Sequence, residues 1–126
     1  MREGAIRLHP EPNITWVDDG LPDLKVVSGL GLSFDLVIMN AVLMHLDPDT
    51  RAKAFAAIAP LIRPNGILEL SLRHGPVPEG RTMYDIPGVE ITQLGQALGL
   101  ETIFEDEAPS GEQAGISWTR MVLKKV

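Results

Sequence analysis

The stretch from residue 34 to residue 72 narrows the possible folds more than any other. It reads "FDLVIMN", then "AVLMHLDPDTRAKAFAAIAPLIRPNG", then "ILELSL". The first piece shows no polar alternation after Asp35, which is the pattern of a strand covered on both faces, and such strands belong to parallel sheets. The middle piece has the grammar of a helix, with Asp47 as N-cap, Pro48 in the first position, and Phe55, Ile58, Ala59 and Ile62 along one face. Pro60 lacks the N–H that would bond residue 56, so a helix from about 48 to 62 should kink or tighten there. Pro64-Asn65-Gly66 is expected to end it, with Asn65-Gly66 as a tight turn and positive φ at Gly66. A crossover helix between two apolar runs makes the second strand parallel to the first. The three pieces form a βαβ unit.

The flanking segments extend this plan. "NITWVDD" (13 to 19) alternates like a short strand stopped by Gly20 and Pro22, and the glycine-spaced "KVVSGLGLS" reads as a connection. "IPGVEITQLGQALGL" predicts a helix from about 88 to 98, with Ile91, Leu94 and Leu98 on one side and Gly99 as C-cap. "ETIFEDE" and "SWTRMVLKKV" predict two strands, and the polar link "APSGEQAGI" suits an antiparallel pair. The expected architecture is one α/β domain over residues 1–126, with a mostly parallel sheet whose last strand reverses direction.

Composition then removes whole classes of function. The 126 residues include no cysteine, which excludes disulfides, thiolate nucleophiles and cysteine-based metal sites. A formal net charge of −6 with scattered Lys and Arg argues against a phosphate-backbone footprint, so no nucleic-acid partner is expected. No run approaches the roughly 20 apolar residues of a membrane span, and the start lacks a signal peptide's apolar region. An intracellular, cytoplasmic protein with no membrane partner and no metal site is the expectation.

In open α/β sheets, ligands bind outside the carboxyl ends of the parallel strands. The segments to search are therefore "DDGLPD", "NAVLMHLD" and "RHGPVPEGRTMYD". "ITWVDDGLP", the βαβ unit through "SLRHG", and the closing hairpin together resemble the second half of a class I S-adenosylmethionine-dependent methyltransferase, from about residue 13 to the end. The resemblance implies a Rossmann-like fold with a reversed seventh strand, S-adenosylmethionine as cofactor and a small-molecule methyl acceptor. It places Asn40 beside the methionine end of the cofactor and His45 at the pocket rim. It also makes Asp18 or Asp19 the acceptor for the adenine amine. Arg73, His74 and Tyr84 become candidate substrate contacts, with Arg81 as a further one.

Each of these residues has a plainer reading. His45 could cap the helix that begins at Asp47, and Asp18 and Asp19 could be solvated turn acids before Gly20. Arg73 could pair with Glu69, His74 could be a turn residue, and Tyr84 and Arg81 could be loop residues. No catalytic residue is assigned.

The chain departs from the family in one respect that matters. Class I enzymes hold the methionine end with a glycine-rich loop after the first strand, where glycine lets the backbone approach the ligand. The one "GLG", at 29 to 31, precedes an apolar strand and opens no helix, so its context is wrong. The N-terminal part of the fold is therefore expected to be missing, which leaves two readings: the substrate-side portion of a methyltransferase, or a truncated, non-catalytic binding module. A nucleotide-binding α/β domain of another family is a weaker third. Cofactor binding by this chain is expected to be weak or absent. "FDLVIMN" would also lie at a sheet edge, and such an edge seeks a partner. Either "NITWVDD" covers it or two copies associate, and a homodimer or higher oligomer is expected.

Overall fold

The structure, a computed structural model, describes the backbone of residues 2–126 and the side chains of residues 4, 5 and 7–126. In chain order, α1 spans Arg2–Leu8, α2 Lys25–Gly29, β1 Phe34–Met39 and α3 Pro48–Ile58, followed by β2 Ile62–His74, α4 Gly88–Ala97, β3 Leu100–Pro109 and β4 Ser117–Lys125. The four strands form one sheet in the order β1-β2-β4-β3. β1 runs parallel to β2, while β4 runs antiparallel to both β2 and β3. Three strands thus share one direction and β4 opposes them, as the sequence predicts.

Strand alternation divides the sheet into two unlike faces. Met39, Leu68, Leu70, Leu72, Met121 and Leu123 point to one side and pack with Phe55 and Ile58 of α3 and Ile91 of α4. Both long helices therefore lie on this face, and the core sits between them and the sheet. The opposite face carries Leu36, Ile38, Glu69, Ser71, Arg120, Val122 and Phe104. It has no helix over it among the described residues, and Leu36, Ile38 and Phe104 are about half exposed.

The helix grammar holds in detail. Asp47 Oδ1 accepts from the Thr50 N–H at 2.8 Å, Pro48 stands in the first turn, and the helix tightens to a 3-10 turn over Ala59–Leu61. That turn contains Pro60, whose missing N–H makes the change of winding cheap. β2 begins at once at Ile62. Pro64-Asn65-Gly66 accordingly does not form a separate turn but a bulge inside the strand, where Phe34 pairs with Ile62 and Leu36 with Ile67. The left-handed residue there is Asn65 (φ 67°), not Gly66. Glycine is required at 66 for space, since a Cβ would lie 2.8 Å from the Arg63 carbonyl oxygen and 3.1 Å from that of Phe34.

Three other expectations are corrected. Residues 13–19 form no strand, because no neighbour supplies a ladder for them. The connection 25–33 contains the short helix α2. β1 lies at the sheet edge as expected but is not covered on both faces: Phe34 to Met39 are exposed except at Val37 and Met39.

Candidate functional site

At the carboxyl end of β1 the chain turns sharply. Asn40 is exposed, and Ala41 takes a left-handed conformation (φ 55°), which strains an L-residue. The Ala41 N–H donates to Ser71 Oγ at 3.0 Å, so a side chain of β2 holds the turn. A 3-10 turn, Leu43–His45, follows with Leu43 and Met44 buried and His45 directed outward. The His45 ring does not cap α3. Asp47 does so itself, and the Thr50 N–H holds its carboxyl below the usual carboxylate range.

The carboxyl end of β2 is braced from both sides. His74 is not a turn residue: it ends the strand, with Nδ1 2.5 Å from Asp85 Oδ1 and Nε2 2.6 Å from Thr119 Oγ1 of β4. Both ring nitrogens are thus engaged within the chain. Arg73 makes no pair with Glu69; it donates to the Pro76 carbonyl at 2.7 Å. The Tyr84 N–H donates to the Met44 carbonyl at 2.8 Å, which ties the loop after β2 to the turn after β1.

A buried cation secures the same junction. Arg51 of α3 is 4% exposed. It donates to both carboxylate oxygens of Glu90 in α4 (2.9 and 3.2 Å) and to the Leu46 carbonyl (2.9 Å). Its guanidinium carbon also stands 5.5 Å from the Tyr84 ring centroid, within cation–π range. Forked donors suit this task because one planar group satisfies a carboxylate and a carbonyl together.

These braces frame a depression lined by Met44, Arg73, Val77, Met83, Tyr84 and Asp85. Its floor is thioether and aromatic, and Arg73 and Asp85 supply opposite charges at its edge. A second, more open groove on the uncovered face is lined by Asn40, Ala41, Ser71, Pro109, Trp118 and Arg120. Arg120 there pairs with Asp106, which lowers the Asp106 carboxyl and raises the guanidinium.

The structure thus brings Arg73 and Tyr84 to one depression, with His74 behind its edge residue Asp85, and places Asn40 on another. His45 and Arg81 are exposed and line neither. Asp18 is exposed and has no hydrogen bond among the described residues, whereas Asp19 accepts from the Val27 N–H at 2.8 Å and the Gly20 N–H at 2.9 Å. Those bonds, Val27 first, pull the Asp19 carboxyl below its ordinary range and commit it to the turn before α2. Of the two acids, Asp18 is the one free for a ligand. Arg51, Ser71, Asp85, Glu90 and Thr119 also shape the site, and sequence reasoning missed them. Their partners lie 11 to 45 residues away, beyond any local pattern.

Asp18, the acid that the resemblance assigns to the adenine amine of S-adenosylmethionine, is exposed and lines neither depression. For the methionine carboxylate, no convergent set of free backbone N–H donors appears among the described residues: the Ala41 N–H is held by Ser71, and Gly29 and Gly31 precede β1.

A family profile described as "Methyltransferase domain" matches residues 7–70, just over half of the 126-residue chain. No curated protein matches in sequence. Among solved structures, the chain is similar to a 1,6-didemethyltoxoflavin-N1-methyltransferase from Burkholderia thailandensis with bound 1,6-didemethyltoxoflavin and S-adenosylhomocysteine. The identity is 25%, the TM-score 0.64, and the match covers 79% of this chain and 48% of that one. The N-methyltransferase NodS from Bradyrhizobium japonicum, in complex with S-adenosylhomocysteine, matches at 16% identity with TM-score 0.68, covering 96% of this chain and 59% of that one. A SAM-dependent methyltransferase from Methanosarcina mazei matches at 14% identity with TM-score 0.65, covering 99% and 77%. The last two likenesses show the fold alone. The chain spans about half the length of the first of these structures. With the profile over its N-terminal half and this sheet order, the chain belongs to the class I S-adenosylmethionine-dependent methyltransferases.

Proposed function

We propose that this chain supplies the acceptor side of a methyl-transfer site for a small molecule, and that by itself it binds S-adenosylmethionine weakly and transfers no methyl group. The observation that carries the reading is the contrast at the rim. The depression at the end of β2 is braced by Arg51, His74 and Tyr84, while the β1 end offers Asn40 without convergent N–H donors for the cofactor's carboxylate. A braced apolar depression suits catalysis by positioning, in which the acceptor is held in line and water is kept out. The 1,6-didemethyltoxoflavin bound to the Burkholderia thailandensis enzyme supports a small-molecule class.

The weak-binding half of the reading has a rough magnitude. Each charge-assisted hydrogen bond that is not made costs about 1.5 to 3 kcal/mol. Two or three of them weaken binding by about two to six powers of ten, at 1.4 kcal/mol per tenfold. Calorimetric titration with S-adenosylhomocysteine is expected to give no saturable heat at micromolar ligand. Micromolar affinity that disappears in Asp18→Ala would instead show a working cofactor site and overturn the non-catalytic reading of the chain.

A further inference from the structure

The depression at the end of β2 holds a cation without a counter-ion among the described residues. Arg51 pairs with Glu90, Arg63 with Asp35 and Arg120 with Asp106, but Arg73 pairs with no carboxylate. That is unexpected in a chain with 17 acidic residues to 11 basic ones. Arg73 is half-buried, and its one side-chain hydrogen bond, from Nη2 to the Pro76 carbonyl at 2.7 Å, leaves most of the guanidinium uncommitted. A guanidinium carries five N–H donors in a planar fork. The acid on the same edge is engaged elsewhere: Asp85 Oδ1 lies 2.5 Å from His74 Nδ1, and the side chain is 75% exposed, where solvent and salt screen its charge.

The floor sets the rest of the ligand. Met44, Met83 and Tyr84 present thioether and aromatic surface, which favours an aromatic ring. The floor is also fixed in advance, because Arg51 stands under the Tyr84 ring and the Tyr84 N–H is tied to the Met44 carbonyl, so little ordering is left for binding to supply. The hollow measures about 110 Å³ and is open on one side. A cavity of roughly 150 Å³ encloses a benzene, so this one has room for a single ring whose substituent stays at the mouth. We propose that the depression takes a single-ring aromatic carboxylate, with the ring against Met44, Met83 and Tyr84 and the carboxylate on the Arg73 fork. This ligand class deepens the reading of the depression as the acceptor side and rests on it. Arg73 is the specificity determinant, since two parallel N–H···O bonds to a carboxylate have no equivalent in an amide or an ester. An amine would instead have to share the Asp85 carboxylate that His74 already holds.

The methionines make the test direct. With isotope-labelled methyl groups on the full chain, Met44 and Met83 report the depression by NMR, while Met39 and Met121 in the core report the fold. The probes are benzoate, benzamide and benzylamine. Benzoate is expected to shift the Met44 and Met83 resonances saturably and to bind about tenfold more tightly than benzamide, the factor that one charge-assisted hydrogen bond supplies at 1.4 kcal/mol per tenfold. Arg73→Gln should abolish that preference with the Met39 and Met121 resonances unmoved. Arg81→Gln, which removes an equal charge from the same loop outside the depression, should keep it. The comparison of acid with amide on the unaltered chain does not depend on how any variant folds. Equal binding of benzoate and benzamide, or a preference that survives Arg73→Gln, overturns the assignment to Arg73 and leaves the acceptor depression standing. Tightest binding by benzylamine overturns it in favour of Asp85. If no probe moves Met44 or Met83, the acceptor-side reading falls together with the carboxylate.

Discussion

The residues before Met39 and those from Met39 onward are comparably apolar, yet they behave as different materials. No described side chain before Met39 is fully buried, whereas every strand and both long helices from Met39 on contribute to the core. Leu8, Val26, Leu30, Leu32, Leu36 and Ile38 are each about half exposed or more. Apolar content alone does not make a core; a core needs elements long enough to present one face and a second layer to receive it. The later region has both, in a sheet of long strands and two helices of 11 and 10 residues. The earlier region has a five-residue helix with no buried residue and an edge strand.

The largest expected difference between the regions is at Phe55 and Leu30. Phe55 is fully buried between α3 and the sheet, so Phe55→Ala removes a side chain and leaves a cavity that costs about 3 to 5 kcal/mol. Leu30, 52% exposed, loses little, and Leu30→Ala should stay within about 0.5 kcal/mol. Urea denaturation followed by circular dichroism measures both. Equal shifts of the two midpoints would mean that the N-terminal region is packed in solution and that the contrast is wrong.

Gly66 lies on the seam between the regions, where the β2 bulge passes the Phe34 carbonyl of β1. Gly66→Val forces a side chain into a site where even Cβ would stand 2.8 Å from backbone, so it should destabilise by about 1 to 3 kcal/mol. The neighbouring Asn65→Gly should be neutral or slightly stabilising, because the left-handed backbone there suits glycine. If instead Asn65→Gly is harmful and Gly66→Val harmless, the bulge has a different register.

What the sequence discloses follows the same divide. α3, α4 and the β3–β4 hairpin are legible because their signals are local: Asp47 and Pro48 at a helix start, Gly99 at a helix end, alternation on both sides of a polar link. "NITWVDD" has the alternation of a strand without a ladder to join, and no local pattern reveals a missing neighbour. "FDLVIMN" is read correctly as a strand and wrongly as covered, since covering is supplied by other segments. In the site, Arg73, His74 and Tyr84 are singled out as candidates because they stand at or beyond the carboxyl end of an apolar run. The braces that fix them, Arg51 to Glu90 and His74 to Thr119, join residues 39 and 45 apart and leave no periodic trace.

The smallest expected effect, and the sharpest probe of the early region, is at Asp19. Its carboxylate accepts from the Val27 and Gly20 N–H groups, and the first of these bonds is the main reason that its pKa lies below the ordinary value. A carboxyl whose folded pKa is depressed stabilises the fold at pH above its unfolded value, near 4, and that contribution is lost as pH falls through the lower, folded value. Asp47 is lowered in the same way by Thr50, but its helix is also held by Ala54, Phe55 and Ile58 in the core. α2 has no such packing. On acidification below about pH 4, the Val27 amide resonance should therefore move and lose exchange protection with the Asp19 titration, while amides inside α3 keep theirs. Asp19→Ala should produce the same local loss already at pH 7 and leave the global unfolding midpoint nearly unmoved. A drop in that midpoint comparable to the effect of Phe55→Ala would show that residues 19–27 are part of the cooperative core, and the two regions would then have to be treated as one.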